Sequence, residues 1–318
     1  MAEEIVIQKY SDVRSQKIDW LWFPYIAYGK ITLLQGDPGD GKSTFILQLA
    51  ALLTTGKKLP DGTKGKKPIN VIYQCNEDDP SDTIKPRLVK AKADCEKVLF
   101  FGNDQSLTID DNRLDGAIQE ADAKLVIFDP IQSFLPQNSD MASAGKMRSI
   151  LNKLSTIAQK RKCAIILVGH LNKSSSGKDM YRLLGSIDIA AIARSILLIS
   201  RDEEDPSIRY MSQIKNNIGY EGPSISFSFS LKGFEWGNVV YRELPSQALD
   251  NNLPLEKAKG VILAALRNGD ASSRDLFQQM EGMEISDSTI RRALKAVGAK
   301  NRKKGTNWYW YLPGKDKE

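Results

Sequence analysis

One short segment restricts this chain to a small group of folds. Residues 36–43 read Gly-Asp-Pro-Gly-Asp-Gly-Lys-Ser, and they follow the apolar run 31–34 and precede the helix-like run 45–50. The glycines allow the backbone to curl so that several N–H groups point at one anion, and the following helix presents its positive end there. The segment therefore predicts a phosphate-binding P-loop between a strand and a helix.

The residue types in this turn also indicate the ligand. The Lys42 ammonium is expected to reach the β- and γ-phosphates of a nucleotide, and the Ser43 hydroxyl is expected to bind Mg²⁺. The predicted cofactors are therefore ATP and Mg²⁺. The candidate nucleotide-binding residues are Gly36, Asp37, Pro38, Gly39, Asp40, Gly41, Lys42, Ser43 and Thr44.

Beyond the P-loop, continuous apolar runs alternate with helical patterns. The runs 69–76, 125–129 and 164–170 have the composition of strands that are buried on both faces, and helices are predicted between them. A helix over about 81–93 and a short strand over 98–101 are predicted between the first two of these runs. This alternation favours right-handed βαβ crossovers and an α/β fold with a mostly parallel sheet. Three further runs, 196–199, 208–215 and 224–231, lack intervening helices and predict an antiparallel extension of the sheet.

Acidic residues follow two of the predicted strands, where ligands of open α/β sheets collect. Asp129 ends a buried run and has the chemistry to hold Mg²⁺ through its water shell, although a role as a helix cap before Pro130 is the alternative. Glu77 directly follows the run 69–76 and is the candidate that polarises the attacking water. Asp78 and Asp79 compete with it for this role.

His170 is the single histidine of the chain and stands at the end of the buried run 164–170. A side chain at this strand end is placed to touch the γ-phosphate and to report its presence to the polar segment 172–178. Two alternatives stay open, since a lone histidine is often a structural hydrogen-bonding group and a polar cationic loop is often only solvated.

The C-terminal part has the features of a separate small domain. We predict a first domain over residues 1–243, a linker rich in polar residues and proline over 244–254, and a second domain over 255–318. Three helical patterns, the last capped by Ser286 or Asp287, precede a basic turn and an aromatic strand. This order predicts a winged helix-turn-helix.

The positive charge is concentrated in that second domain. The formal net charge is +6, and residues 251–318 account for most of it, with 13 Lys and Arg against 8 Asp and Glu. Clustered cations on a helix and a hairpin favour duplex DNA as the partner, whereas protein docking is the alternative use of such a domain. The candidate DNA contacts are Arg291, Arg292 and Lys295 on the helix and Arg302, Lys303 and Lys304 on the wing.

Two classes of protein are disfavoured. The N-terminal Met-Ala-Glu-Glu is acidic where a signal peptide is basic, and no stretch approaches the ~20 apolar residues of a membrane span. We therefore expect a cytoplasmic protein that does not enter a membrane.

Several segments together resemble a known family. They are residues 18–22 with 29–39, Glu77-Asp78, 128–130, 170–173, 185–186 with 193–195, and 215–217. In this order they are similar to the RecA-like P-loop ATPases of plasmid and phage replication modules, the group that includes the RepA-type hexameric replicative helicases. The resemblance covers about residues 15–230.

The resemblance implies a homo-hexameric ring with ATP between subunits. It implies that Glu77 is the catalytic carboxylate, Asp129 the acid linked to Mg²⁺, and His170 the sensor of the γ-phosphate. Arg194 and Lys215 become candidates for a cation that enters the neighbouring subunit's site; Asn217 stands where related proteins often have a second cation, which favours Arg194. Loops lining the channel for single-stranded DNA would contribute Lys173, Lys178 and Arg182.

These observations predict an ATP-hydrolysing, DNA-dependent motor, and strand separation by a replicative helicase of a plasmid, phage or mobile element is the favoured task. A non-translocating switch is the alternative: a helicase loader, recombination mediator or replication regulator. A DNA-binding regulator with a degenerate nucleotide site is a third class, which the residues from Lys42 to Asp129 disfavour.

Overall fold

A computed structural model defines the architecture of two compact units, Met1–Glu243 and Leu244–Glu318. The structure describes residues 7–102, 107–136, 144–170, 187–202, 204–230 and 233–241 of the first unit. In the second unit it describes 258–259, 261–263, 265–266, 269–281, 285, 287–304 and 307–313.

The first unit is an α/β domain built around a β-sheet that has both parallel and antiparallel strands. Its strands are β1 Trp20–Trp22, β2 Ile26–Ala27, β3 Ile31–Gly36, β4 Asn70–Cys75, β5 Val98–Leu99, β6 Ala123–Asp129, β7 Ala164–His170, β8 Ser195–Arg201, β9 Ile208–Asn216, β10 Ser224–Ser230 and β11 Gly233–Val240. Its helices are α1 Lys42–Thr55, α2 Lys85–Lys90, α3 Arg113–Glu120, α4 Ala144–Arg161 and α5 Ile187–Ile192.

Within the described residues, nine of these strands form one sheet in the order β11-β10-β9-β8-β3-β7-β6-β4-β5. The pairs from β8 to β5 are parallel, whereas β8–β9, β9–β10 and β10–β11 are antiparallel. The predicted α/β class with a mostly parallel sheet is confirmed. The P-loop strand β3 lies in the interior of this sheet, between β7 and β8.

Burial explains why these segments form strands. All six residues of β3 and nearly all of β6 are buried, as expected for parallel strands that are covered on both faces. Helix α1 packs its apolar side chains, among them Phe45 and Leu49, into the same core. The helix ends at Thr55 and is capped by Gly56, which has the left-handed φ of 65° common at this position and donates its N–H to carbonyls of the last turn.

Three local details differ from the sequence-based expectations. The strand expected over 98–101 is only Val98–Leu99, and the helix expected over 81–93 begins as a π-helical turn, Pro80–Ile84, and ends at Lys90. Strand β11 was not predicted, because most of its side chains are exposed or half-buried and its apolar pattern is therefore weak.

The second unit has a core of its own. Helical residues within 258–265 precede the short strand β12 Ala271–Ser272, helices α6 Ser273–Glu281 and α7 Asp287–Ala296, and the hairpin of β13 Lys300–Lys304 with β14 Asn307–Tyr311. Among the described residues of this unit, three strands pair in the order β12-β14-β13. Buried residues from all three helical segments form the core: Ala258, Ile262, Leu266, Leu276, Met280, Ile285, Ile290, Ala293 and Leu294.

The aromatic strand β14 ties the hairpin to this core. Trp310 packs against the core, and its indole Nε1–H donates a hydrogen bond to the Ser273 hydroxyl at 2.6 Å. Trp308 is instead 50% exposed. Of these two tryptophans, Trp310 is therefore partly buried against the core, whereas Trp308 is half exposed.

No helix in the described part of the chain is both long and apolar enough to cross a membrane.

Candidate nucleotide-binding site

The P-loop occupies the turn from β3 to α1. Gly39 and Gly41 have φ values of +80° and +90°, a conformation that L side chains rarely adopt. At Gly36 a Cβ atom would lie 2.6 Å from the Ile199 carbonyl oxygen of β8, so the close approach of the two strands also requires glycine. These three positions explain why the turn is rich in glycine.

The Lys42 side chain lies inside this turn, and the residue is only 4% exposed. Its Nζ donates hydrogen bonds to the carbonyl oxygens of Gly36 at 2.9 Å and Asp37 at 2.8 Å. An ammonium has three N–H donors, so these bonds orient the group and leave one donor for a phosphate oxygen. Burial lowers the pKa of Lys42, and the nearby carboxylates, Asp40 first, oppose that shift.

Asp129 is the last residue of β6 and is 3% exposed. The Tyr73 hydroxyl on the neighbouring strand β4 donates a hydrogen bond to its Oδ2 atom at 2.8 Å. Burial, and then the Asp129 charge, raise the pKa of Tyr73 well above its usual value, so this hydroxyl remains a donor. The buried carboxylate is therefore held in one orientation at the carboxyl edge of the sheet, and it acts electrostatically on Lys42.

Glu77 follows β4 and is exposed. Its two competitors already have partners: Asp78 forms an ion pair with Arg87 at 2.7 Å, and Asp79 accepts bonds from the backbone N–H groups of Ser81 and Asp82. Among hydrogen bonds and ion pairs between described residues, the Glu77 carboxylate takes part in none. It also lines a cavity of about 610 Å³, bounded by residues 74–80 and 100–102. This leaves Glu77 as the acid available to a ligand.

His170 pairs through its backbone with Gly36, so its position is next to the start of the P-loop. Its side chain lies outside the described part of the structure, as do residues 171–186. Lys173, Lys178 and Arg182, the predicted contacts with single-stranded DNA, therefore lie outside the described residues.

Arg194 and Lys215 lie at the other end of the sheet. Arg194 is exposed and immediately precedes β8, and Lys215 pairs with Ile196 near the start of that strand. Gly36 lies opposite Ile199, so five residues of strand, roughly 16 Å, separate Arg194 from the level of the P-loop. An arginine side chain is much shorter than that distance, so Arg194 does not reach the P-loop of its own chain.

Lys215 is engaged within its own chain. Its Nζ donates hydrogen bonds to the carbonyl oxygens of Ala190 at 2.8 Å and Ala193 at 2.9 Å, at the end of helix α5. Burial, followed by the nearby Arg194 charge, lowers the pKa of Lys215. Lys215 thus holds the end of a helix, whereas Arg194 is exposed.

Two arginines at the P-loop were missed by the sequence analysis. Arg201 ends β8 and donates a hydrogen bond from Nε to Asp40 Oδ1 at 2.8 Å. Arg209 lies directly opposite it on β9, with its guanidinium 4.5 Å from the centre of the Phe229 ring. The available signal was their position at the two ends of the short turn between strands predicted over 196–199 and 208–215.

The cations of the second unit fall into two groups. Arg291, Arg292 and Lys295 are exposed on helix α7, and Lys303 is exposed on β13. Arg302 and Lys304 instead bind Asp270, at 2.8 Å each, and their hydrogen bonds, that of Arg302 first, lower the pKa of that carboxyl group. The residues expected on a wing lie on strand β13 itself, and two of the three are ion-paired.

The fold and the site together define a RecA-like P-loop ATPase domain: a mostly parallel sheet, a P-loop at the carboxyl end of β3, and a buried acid at the end of β6. Within that class, the chain belongs to the AAA domain family, whose model matches residues 3–176.

Curated relatives carry the description DNA repair protein RadA. The Helicobacter pylori protein is 28% identical over 260 residues, which cover 80% of this chain and 50% of the relative. The Rickettsia bellii protein is 24% identical over 280 residues, covering 86% of this chain and 54% of the relative. The chain thus spans about half the length of the curated relatives it matches.

Two solved structures have related architectures. A KaiC-like protein, PH0186 from Pyrococcus horikoshii, aligns with a TM-score of 0.47 and 18% identity over 71% of this chain and 99% of that one. A second structure, described as an ATPase domain, aligns with a TM-score of 0.49 and 16% identity, over 68% of this chain and 86% of that one.

Proposed function

We propose that this chain is an ATP-hydrolysing, DNA-dependent motor, and specifically a ring-shaped replicative helicase of a plasmid, phage or mobile element. The observation that carries the proposal is the meeting of Lys42, Asp129 and Glu77 at one edge of the sheet. This combination supplies a phosphate-binding cation, a buried acid and an acid available to water, which are the parts that phosphoryl transfer requires.

The donor set fits ATP with Mg²⁺. Ser43 lies in the first turn of α1 and Asp129 is a buried carboxylate, and hydroxyl and carboxylate oxygens suit a hard cation. When bound, Mg²⁺ would neutralise charge on the phosphates. Lys42 would bind the phosphates with its third N–H, Glu77 would accept a proton from the attacking water, and His170 would respond to the γ-phosphate.

A homo-hexameric ring would complete the site. Within one chain, the exposed Arg194 lies at the opposite edge of the sheet from the P-loop, so it contributes to hydrolysis only in a neighbouring copy. There its guanidinium would neutralise charge that develops on the transferred phosphoryl group. Lys215 would position the segment before Arg194 through its bonds to the end of α5.

DNA would be bound in two places. Lys173, Lys178 and Arg182 would contact a single strand in the ring channel. The second unit would act as a winged helix-turn-helix on duplex DNA, which its order of helices and hairpin supports. Arg291, Arg292, Lys295 and Lys303 would contact phosphates, whereas Arg302 and Lys304 would hold the hairpin against Asp270.

A second candidate is a non-translocating ATP switch, such as a recombination mediator, a helicase loader or a replication regulator. The description of the curated relatives as DNA repair proteins favours it. Both candidates need the same chemistry around Lys42, so the effect of DNA on ATP turnover separates them.

The test is steady-state ATP hydrolysis by the full chain, titrated first with single-stranded and then with duplex DNA. The motor predicts strong stimulation by single strands, with no turnover in Lys42→Ala and with duplex binding retained in that variant. ATP turnover that single-stranded DNA does not change would favour the switch. An unchanged rate in Lys42→Ala would contradict the assignment of the nucleotide site itself.

A further inference from the structure

The P-loop contains a carboxylate that the proposed chemistry does not use. Asp40 is 6% exposed, and its Oδ2 atom accepts a hydrogen bond from the Asp37 N–H at 3.0 Å. In return, the Asp40 N–H donates to the Asp37 carbonyl oxygen at 3.2 Å. The side chain therefore braces the loop across residues 37–40, which helps to fix the shape that the phosphates enter.

This brace has an electrostatic cost. A buried negative charge within an anion-binding loop repels the phosphates of an incoming nucleotide, and a low local dielectric strengthens the repulsion. Asp40 is close enough to act on Lys42, since it is the carboxylate that most opposes the lowering of the Lys42 pKa. The loop therefore needs a cation that compensates Asp40 without occupying the phosphate position.

Arg201 has the geometry of that cation. Its Nε donates to Asp40 Oδ1 at 2.8 Å, and its Nη2 donates to the Gly39 carbonyl oxygen at 2.9 Å. One guanidinium thus binds both the carboxylate and the backbone of the loop. The Asp40 side chain is 9% exposed and that of Arg201 is 46% exposed, so the acid of this pair is nearly buried and the arginine is partly exposed.

Arg209 lies next to the Arg201–Asp40 pair but bonds to other groups. It faces Arg201 directly across β8 and β9, an arrangement that is unfavourable for two like charges. Arg209 is held elsewhere, by the carbonyl oxygens of Pro206 and Ser207 and by the Phe229 ring. Arg209 is therefore not a partner of Asp40, and Arg201 is the arginine of this pair that binds the carboxylate.

We propose that Arg201 is a positioning residue of the nucleotide site, which neutralises Asp40 so that the braced P-loop accepts the phosphates of ATP. The proposal rests on the ATP-binding function proposed above. It predicts a charge balance in which the affinity for ATP depends on Arg201 only while Asp40 carries its negative charge.

The experiment measures ATP binding to the full chain by calorimetry, with Mg²⁺ and without DNA. Arg201→Ala is expected to weaken binding about tenfold, since it removes a charged hydrogen-bond partner and exposes the Asp40 charge to the phosphates. Adding Asp40→Asn should restore most of the affinity, because Asn keeps an oxygen that accepts the Asp37 N–H but carries no charge. If the pair only supported the fold, the double variant would bind as weakly as Arg201→Ala or more weakly.

Arg161→Ala is the matched control. Arg161 forms a similar two-bond pair with Asp115, at 2.6 and 2.8 Å, on helices α4 and α3. Its removal should leave ATP affinity unchanged. Thermal unfolding of each variant shows whether it is folded, and Arg201→Gln, which keeps a polar group and the aliphatic stem but no charge, replaces Arg201→Ala if that variant is not.

The outcomes separate this inference from the proposed function. Wild-type protein that binds no ATP overturns both. Wild-type protein that binds ATP, together with Arg201 variants of unchanged affinity, overturns the positioning role alone. Tight binding that depends on Arg201, combined with turnover that ignores DNA, supports the positioning role and contradicts the motor.

Discussion

Arginines stand at both ends of strand β8, and they differ in almost every respect. Arg201, at the carboxyl end, binds Asp40 and the Gly39 carbonyl of its own P-loop. Arg194, just before the amino end, is exposed and lies roughly 16 Å of strand away from the level of that loop. The two edges of the sheet also differ: the buried Asp129 lies at the carboxyl edge, and Lys215 lies at the amino edge.

The difference shows how one chain can divide a catalytic site. Groups that must be preorganised around phosphate lie at the carboxyl edge, where loops and helix N-termini of parallel strands converge. A cation at the amino edge is too far from its own P-loop to act there, but it can act on the P-loop of another copy. A site split in this way would form only on assembly, which would couple hydrolysis to the oligomer.

The largest effect on ATP turnover is expected when Arg194 and the P-loop, which lie at opposite edges of the sheet, are inactivated in separate chains. Arg194→Ala should lower ATP turnover by roughly 1,000-fold, because a phosphoryl-transfer arginine acts on the transition state. ATP binding to the isolated chain should not weaken. Lys42→Ala should be equally inactive. An equimolar mixture should recover turnover, since a chain with an intact P-loop then meets a neighbour with an intact Arg194.

A double variant, Lys42→Ala with Arg194→Ala, is the control for this mixing experiment. Mixed with Arg194→Ala it supplies no arginine, so no turnover should return. Recovery in the control, or none in the first mixture, would contradict an arginine that acts between subunits.

The sequence was informative about the carboxyl edge because its chemistry is contiguous there. The P-loop, Glu77 and Asp129 directly follow apolar runs, and a strand end followed by acid is visible without coordinates. The mostly parallel sheet followed from the same alternation of runs and helices. The preference for Glu77 over Asp78 and Asp79 was made from the sequence and stays a prediction; the structure adds that Asp78 bonds to Arg87 and that Asp79 accepts a bond in the following turn.

Contacts between residues that are distant along the chain could not be predicted from the sequence. Arg201 and Asp40 are 161 positions apart, and nothing local in either segment indicates that they meet. Strand β11 was missed for a different reason, because a mostly exposed edge strand lacks the apolar run that marks a buried one. Asp270, which binds Arg302 and Lys304, is likewise distant in sequence, so all three wing cations appeared equally available.

An intermediate effect on ATP turnover is expected at Lys215, a cation of the amino edge that bonds within its own chain. Lys215→Met should lower the free energy of unfolding by about 1–2 kcal/mol, because the carbonyls at the end of α5 lose a charged donor. Turnover should fall far less than in Arg194→Ala. Chemical denaturation and steady-state hydrolysis measure the two quantities. Lys124→Met is the control, because Lys124 is a half-buried lysine of the same edge whose ammonium pairs with Asp122 instead of helix carbonyls.

A fall in turnover as large as that of Arg194→Ala, with unchanged stability, would instead make Lys215 the cation that acts on a neighbour.

The smallest effect is expected at the carboxyl edge, where Tyr73 orients Asp129. Tyr73→Phe removes the hydroxyl that lies 2.8 Å from Asp129 Oδ2, at a net cost of about 1 kcal/mol. A less well-oriented carboxylate should raise the Mg²⁺ concentration for half-maximal turnover roughly fivefold, the equivalent of that energy. Tyr25→Phe is matched to it, since it loses a bond of 2.6 Å to the Pro223 carbonyl without touching a carboxylate. Equal Mg²⁺ dependence in the two variants would show that Tyr73 supports the fold and not the acid.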